Sequence, residues 1–222
     1  MSLLPLLLAL TGCATVGTLQ TADTLGTGHF QLGIEPSWWG AVTPDGGAGF
    51  VHMGVSGRYG VSDRVDLGGR IGSAGAEILV KVALTDPQTS GPYVSIAPSG
   101  GGFAATSGGD AAGILAFQVP VLIGFPTAGG SQLVLAPKIH EYLILAGSGG
   151  DSAGVSMTSL GASLGYAARL GPGFRLLPEV AFVYPVLGAA GMSGQDSQVD
   201  FLGEGVLMQV SLGLLLGGDR ER

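Results

Sequence analysis

The sequence predicts an all-β protein, an antiparallel up-and-down β-barrel of about ten strands (eight to ten) of the membrane type. Three observations carry this expectation. The 222 residues are 46% hydrophobic and 11% charged, with a mean hydropathy of +0.48, whereas soluble domains average about 25% charged. There are 42 glycines, each costing roughly 1 kcal/mol in a helix interior, and no internal apolar run reaches the ~18 residues of a spanning helix. From His29 onward, apolar residues alternate with period two. Only helices and closed barrels satisfy every backbone group in lipid, so an apolar, helix-poor chain reads as a barrel.

The chain divides into four parts: residues 1–12 as a signal peptide, 13–27 as a lipidated N-terminus and linker, 28–218 as the barrel, and 219–222 as a charged tail. Leu3–Leu10 is too short to span a bilayer but suits the apolar core of a signal peptide. Leu10-Thr11-Gly12-Cys13 resembles the lipobox of bacterial lipoproteins. That resemblance implies cleavage before Cys13, diacylglycerol on its thiol and an acyl group on its new amine. The covalent lipid is the only cofactor expected. Cys13 is the single cysteine, so an intrachain disulfide framework and a four-cysteine zinc site are excluded. After it, "ATVGTLQTADTLGTG" reads as a polar linker without periodicity.

Ten alternating runs follow: His29–Trp39, Phe50–Gly60, Arg64–Gly72, Glu77–Leu84, Tyr93–Ala97, Ile114–Phe125, Leu133–Leu145, Val155–Leu170, Arg175–Pro185 and Gly205–Leu216. Membrane strands need ~9–11 residues and alternate apolar-out, polar-in. In the first run Phe30, Leu32, Ile34, Pro36 and Trp38 share one face, opposite Gln31, Gly33, Glu35 and Ser37. In the hairpin "GVSDRVDLGGRIGSAGAEILVKVAL", Val65, Leu67, Ile71, Ile78, Val80 and Val82 face lipid, while Asp66, Arg70, Glu77 and Lys81 point inward. An Arg or Lys on the lipid face would cost ~2–4 kcal/mol near mid-membrane. Trp38, Trp39, Phe50, Tyr59, Phe174 and Tyr184 are candidates for the aromatic girdles.

Links after even-numbered runs are mostly short, and those after odd-numbered runs include the longest, "GGGFAATSGGDAAG" and "LGAAGMSGQDSQVDFLGE". Outer-membrane barrels have short periplasmic turns and longer outer loops. Both termini are therefore expected in the periplasm, with the lipid on Cys13 in the inner leaflet. Asp45, Asp110, Asp151, Asp196 and Asp200 fall in the expected outer loops. They lack calcium-loop spacing and read as solvated loop charges.

The lumen candidates are Glu35, His52, Arg58, Asp66, Arg70, Glu77, Lys81, Lys138, His140 and Glu179. In so narrow a barrel they read first as a paired charge network filling the interior, and second as the lining of a narrow ion path. No phosphate loop, dinucleotide fingerprint or metalloprotease helix is present, and no metal-ligand spacing. Gly161-Ala162-Ser163-Leu164-Gly165 matches a serine-hydrolase elbow, but that elbow needs a strand-to-helix turn and here lies mid-strand. The net charge of −7 argues against nucleic acid as a partner.

On Leu10–Cys13, the alternating runs from His29 to Leu216 and the hairpin "YGVSDRVDLGGRIG", the chain resembles bacterial outer-membrane β-barrel proteins carrying a lipoprotein signal. The resemblance implies a lipid-anchored outer-membrane barrel without catalysis, with a structural, surface-interaction or narrow-pore role. Its partners would be outer-membrane lipid and extracellular or periplasmic molecules met through its loops. The alternatives are a lipid-tethered periplasmic barrel binding a small hydrophobic ligand, as lipocalins do, and a barrel acyl hydrolase.

Overall fold

A computed structural model describes residues 15–43, 46–73, 75–86, 91–107, 110–148, 151–192, 195–198 and 205–218. The expected signal peptide, Cys13, Asp45, Asp200 and the tail lie outside the described residues. The strands are β1 (Phe30–Thr43), β2 (Gly46–Gly60), β3 (Val65–Gly72), β4 (Gly75–Ala83), β5 (Tyr93–Ile96), β6 (Ser99–Ser107), β7 (Asp110–Pro126), β8 (Gln132–Ser148), β9 (Asp151–Gly171), β10 (Phe174–Met192), β11 (Gln195–Gln198) and β12 (Val206–Gly217). Each pairs antiparallel with its neighbours, and β12 pairs back onto β1 (Trp38 opposite Val210), closing the sheet. β5 and β6 are two halves of one stave, interrupted at Ala97 and Pro98, where proline cannot donate to the ladder. β11 only extends the β10 arm. The wall is thus a closed barrel of ten staves, one for each alternating run.

The side-chain faces follow the alternation. Val51, Ile71 and Ile78 are more than 70% exposed, and Phe30, Leu32, Ile34, Tyr59 and Leu212 are also exposed on the outer surface. Gln31, Glu35, Arg58, Asp66, Lys81, Lys138 and Glu179 are buried within. A soluble protein does not display so continuous an apolar surface. The chain is a membrane-type barrel, apolar outside and charged inside, the reverse of what a lipocalin-like interior needs.

Two girdle candidates are placed differently. Trp39 is buried in the lumen with Phe50 packed on it, ring centroids 5.4 Å apart. Trp39 follows Trp38 directly, so only one of the pair can face out.

The connections also depart from expectation. At the end where β1 starts and β12 finishes (the terminus end), strands are joined by residues 61–64, 84–92, 127–131 and 172–173. At the opposite, far end, strand pairing runs nearly to the tips, with Thr43 opposite Gly46, Ser107 opposite Asp110, and Ser148 opposite Asp151. The stretch read as a long loop before Ile114 is mostly β6 and the start of β7, and Asp110, Asp151 and Asp196 lie on strands. The extra length is carried by strands: β9 has 21 residues and β10 has 19, against the ~9–11 that span a membrane. Small residues (Gly188, Ala189, Ala190 and Gly191) let the ladder continue through a segment with loop-like composition.

Candidate functional site: a plugged lumen

Residues 15–26 do not form a linker. They turn back at Gly26–His29 and run up inside the barrel, with Val16 through Ala22 and Thr24 through Gly26 buried. The turn is held by hydrogen bonds from Gly28 N to Gly60 O (2.8 Å) and from Gly60 N to His29 O (2.9 Å). The chain passes so close to Gly60 that a Cβ there would lie 1.9 Å from Gly26 O. From this point the segment climbs past Asp66, near the start of β3, to Arg70 and Glu77, near the β3–β4 tip.

Inside the barrel this segment has no strand partner, yet its backbone groups must still be paired. Side chains of the wall supply the partners. Gln209 Oε1 accepts from Val16 N (2.8 Å) and Gly17 N (3.0 Å). Glu179 accepts from Thr18 N (2.6 Å), Thr18 Oγ1 (2.7 Å) and Leu19 N (3.0 Å). Gln132 Oε1 accepts from Ala22 N (2.7 Å), and Asp66 from Leu25 N (3.0 Å). Cations take the carbonyls: Lys138 donates to Val16 O, Arg70 to Thr18 O (3.1 Å), and Lys81 to Thr21 O (3.3 Å) and Asp23 O (2.6 Å). Carboxylates and amides hold N–H groups, and ammonium or guanidinium groups hold C=O groups.

The lumen candidates also pair with one another. Arg70 Nε lies 2.6 Å from Glu35 Oε2, and its Nη1 lies 2.9 Å from Glu77 Oε2. Lys81 and Asp66 are 3.0 Å apart, both fully buried. Ser56 donates to Glu35 (2.5 Å), Arg58 to Gln20 and Gln31, and His52 Nδ1 lies 2.6 Å from Ser73 Oγ. His140 stacks on Tyr142, ring centroids 4.2 Å apart. The ten candidates therefore all face the interior, but the paired network read from sequence is only half the arrangement; the other half grips a peptide. Breaking a buried pair by removing one partner costs about 3–5 kcal/mol.

Apolar groups complete the plug. Val16 packs in a far-half cluster with Trp39, Ile114, Tyr142, Val183 and Leu207. Leu19 packs with Ala167, Leu177 and Leu215, and Ala22 with Tyr93, Leu122 and Ala136. Leu19 adopts a φ of 45°, uncommon for a non-glycine residue, and its kink coincides with the Glu179 bond to its N–H.

The residues that sequence reasoning missed are the plug itself and its neutral holders Gln132, Ser163 and Gln209. A signal for the plug does exist. Thr15-Val16-Gly17, Thr18-Leu19-Gln20, Thr21-Ala22-Asp23 and Thr24-Leu25-Gly26 are consecutive Thr–apolar–any triplets. A period of three is invisible to a search for two or 3.6. Ser163, centre of the elbow-like string, is extended mid-strand in β9, with its hydroxyl 3.1 Å from Thr18 Oγ1. Among the described residues no cluster of three or more His, Cys, Asp or Glu has metal-holding geometry.

No family model matches the chain, and no curated protein matches it. Solved structures do. Neisserial surface protein A is 11% identical, with 84% of this chain and 96% of that one covered and a TM-score of 0.43. OprG, an outer membrane protein from Pseudomonas aeruginosa, is 14% identical, with coverage of 87% and 99% and a TM-score of 0.41. The translocator domain of the autotransporter NalP from Neisseria meningitidis is 10% identical, with coverage of 86% and 88% and a TM-score of 0.49. What this chain is similar to, at these identities, is a set of outer-membrane barrels in fold alone.

Proposed function

We propose that this chain is a plugged outer-membrane barrel lipoprotein, acylated on Cys13, with its terminus end in the periplasm. It serves as a structural and surface-presenting scaffold and carries no catalytic activity. The observation that supports this reading best is the filled lumen. Residues 15–26 occupy it, and wall side chains pair with the plug backbone from Val16 to Leu25. The narrow-pore role is then closed at rest. The tall strands β8 to β10 extend past the ~9–11 residues that span a membrane and give the far end a wall on which extracellular partners could dock.

The test combines three readouts on the full chain. Membranes washed with carbonate should retain the protein, and it should migrate differently on gels with and without heating. Planar bilayers should record no steady conductance. A fatty-acid label should be incorporated by the wild type and lost in Cys13→Ser. Release by carbonate would overturn the integral barrel, and a steady open channel would overturn the plugged scaffold. Hydrolysis of phospholipid that disappears in Ser163→Ala would overturn the absence of catalysis.

A further inference from the structure

The barrel wall is not equally tall all round. β3 and β4 have 8 and 9 residues, close to the ~9–11 that span a membrane. Their neighbours continue past them toward the far end. β2 pairs with β3 only over Gly54–Gly60 but begins at Gly46, and β6 pairs with β4 only over Ser99–Gly102 but runs on to Ser107. Above the β3–β4 tip the wall therefore has a slot, closed below by Ser73 and Gly75 and bordered by one edge of β2 and one of β6. Two strands are missing from it, so at the tip it is three strand spacings wide, about 14 Å.

Each edge presents its backbone groups in a fixed phase. Gly60 N donates to His29 O on the β1 side, whereas Met53 O accepts from Ser73 N on the β3 side. The β1–β2 register runs without a shift, so even residues of β2 turn toward β1 and odd residues toward the slot. The N–H and C=O groups of Gly47, Gly49 and Val51 thus point into it. On β6, Gly102 O turns toward Gly75 of the β3–β4 hairpin, which puts the groups of Ala104 and Thr106 on the slot side. Among the described residues these groups have no ladder partner across the slot. Natural proteins blunt such edges with lysine, proline or a cover. Residues 46–53 and 103–107 contain no Lys, Arg or Pro, and Val51 on one edge and Phe103 on the other are exposed.

We propose that this slot binds a β-hairpin of a partner protein, which descends into it from outside the cell and adds its two strands to β2 and β6. This deepens the surface-presenting reading above and rests on its placing of the far end outside. Direction and width choose the occupant. β2 runs toward the terminus end and β6 away from it. A hairpin that descends beside β6, turns at the β3–β4 tip and climbs beside β2 is therefore antiparallel to both edges. A single strand would leave one edge bare. A second copy in the same membrane is the wrong occupant, because its far-end hairpins point the same way as these, and β3–β4 closes the slot from below. Backbone pairing supplies the affinity, as where strands are added to other sheet edges. Charge narrows the partner further. Asp110 and Asp151 begin β7 and β9 at the far end, and residues 139–168 and 82–137 contain no Lys or Arg. A hairpin with basic residues at its open end complements that rim.

The test uses the full chain in lipid nanodiscs and a synthetic fluorescent hairpin with alternating Val and Thr, an Asn-Gly turn and lysines at its open end. Saturable binding of one hairpin per barrel is expected, and it should vanish when the amides on the hairpin's two outer edges are N-methylated. Val51→Pro and Ala104→Pro each remove one slot-facing N–H at an exposed position, where an edge strand tolerates proline. Each should weaken binding roughly two- to tenfold. Val51→Thr and Ala104→Ser keep the N–H and should bind as the wild type does; heat-dependent gel migration checks that all four variants fold. No saturable binding, or binding that survives N-methylation or the double proline variant, would overturn the slot. A hairpin that binds in nanodiscs but leaves intact cells unlabelled would overturn the outward placing of the far end, and the external partner with it.

Discussion

In the wall of this barrel, backbone groups meet backbone groups, as where Trp38 stands opposite both Val51 and Val210. In the plug, residues 16–25 meet side chains: Gln209, Glu179, Gln132 and Asp66 for the N–H groups, and Lys138, Arg70 and Lys81 for the carbonyls. Both arrangements satisfy the same rule, that buried polar groups are paired, with different consequences. A ladder depends on register and tolerates many side chains. A cradle of side chains depends on particular residues, so single substitutions should act on the plug far more than on the outer face.

The largest effect should follow from deleting residues 15–26. That removes every plug bond at once and leaves the Arg70–Glu35–Glu77 and Lys81–Asp66 groups in a water-filled lumen. Planar bilayers should then record open channels absent from the wild type. A silent deletion variant would mean that the wall collapses inward or that something else closes the lumen.

Next comes Asp66→Ala, which strands fully buried Lys81 and frees Leu25 N. Loss of one partner from a buried pair costs about 3–5 kcal/mol, readable as a lower denaturant midpoint for the barrel. Glu179→Ala removes the acceptor of three bonds to Thr18 and Leu19. Hydrogen bonds to charged groups contribute about 1.5–3 kcal/mol each and are not additive, so a loss near ~3 kcal/mol is expected. Protease cleavage within the plug should rise with it. Ser163→Ala, which removes one neutral bond to Thr18 Oγ1, should cost only about 1 kcal/mol. If it proves as costly as Glu179→Ala, charge is not what distinguishes the holders.

The same contrast explains what could be read beforehand. The wall was legible because alternation decides each side chain's face, and a one-residue slip would put Asp66, Arg70 or Lys81 into lipid. The ten inward ionisable residues follow from that logic alone. The plug was not legible as a plug, because its triplets match neither strand nor helix period and its holders include the neutral Gln132 and Gln209. Trp39 was misassigned by residue type where parity with Trp38 would have sufficed. The far-end strands were missed because Gly- and Ala-rich segments such as 99–113 look like loops in composition, while their pairing partners on β7 and β8 are distant in sequence.

The most direct test of the threaded plug is a disulfide between its middle and the wall. Thr18 Oγ1 and Ser163 Oγ are 3.1 Å apart, so Thr18→Cys with Ser163→Cys, in a Cys13→Ser background, places two thiols within bonding reach. Refolded into vesicles and mildly oxidised, this variant should form the cross-link nearly completely, with Thr18→Cys paired to an outward Leu164→Cys as the negative control. Free thiols at both positions in a folded, heat-modifiable barrel would contradict the plug.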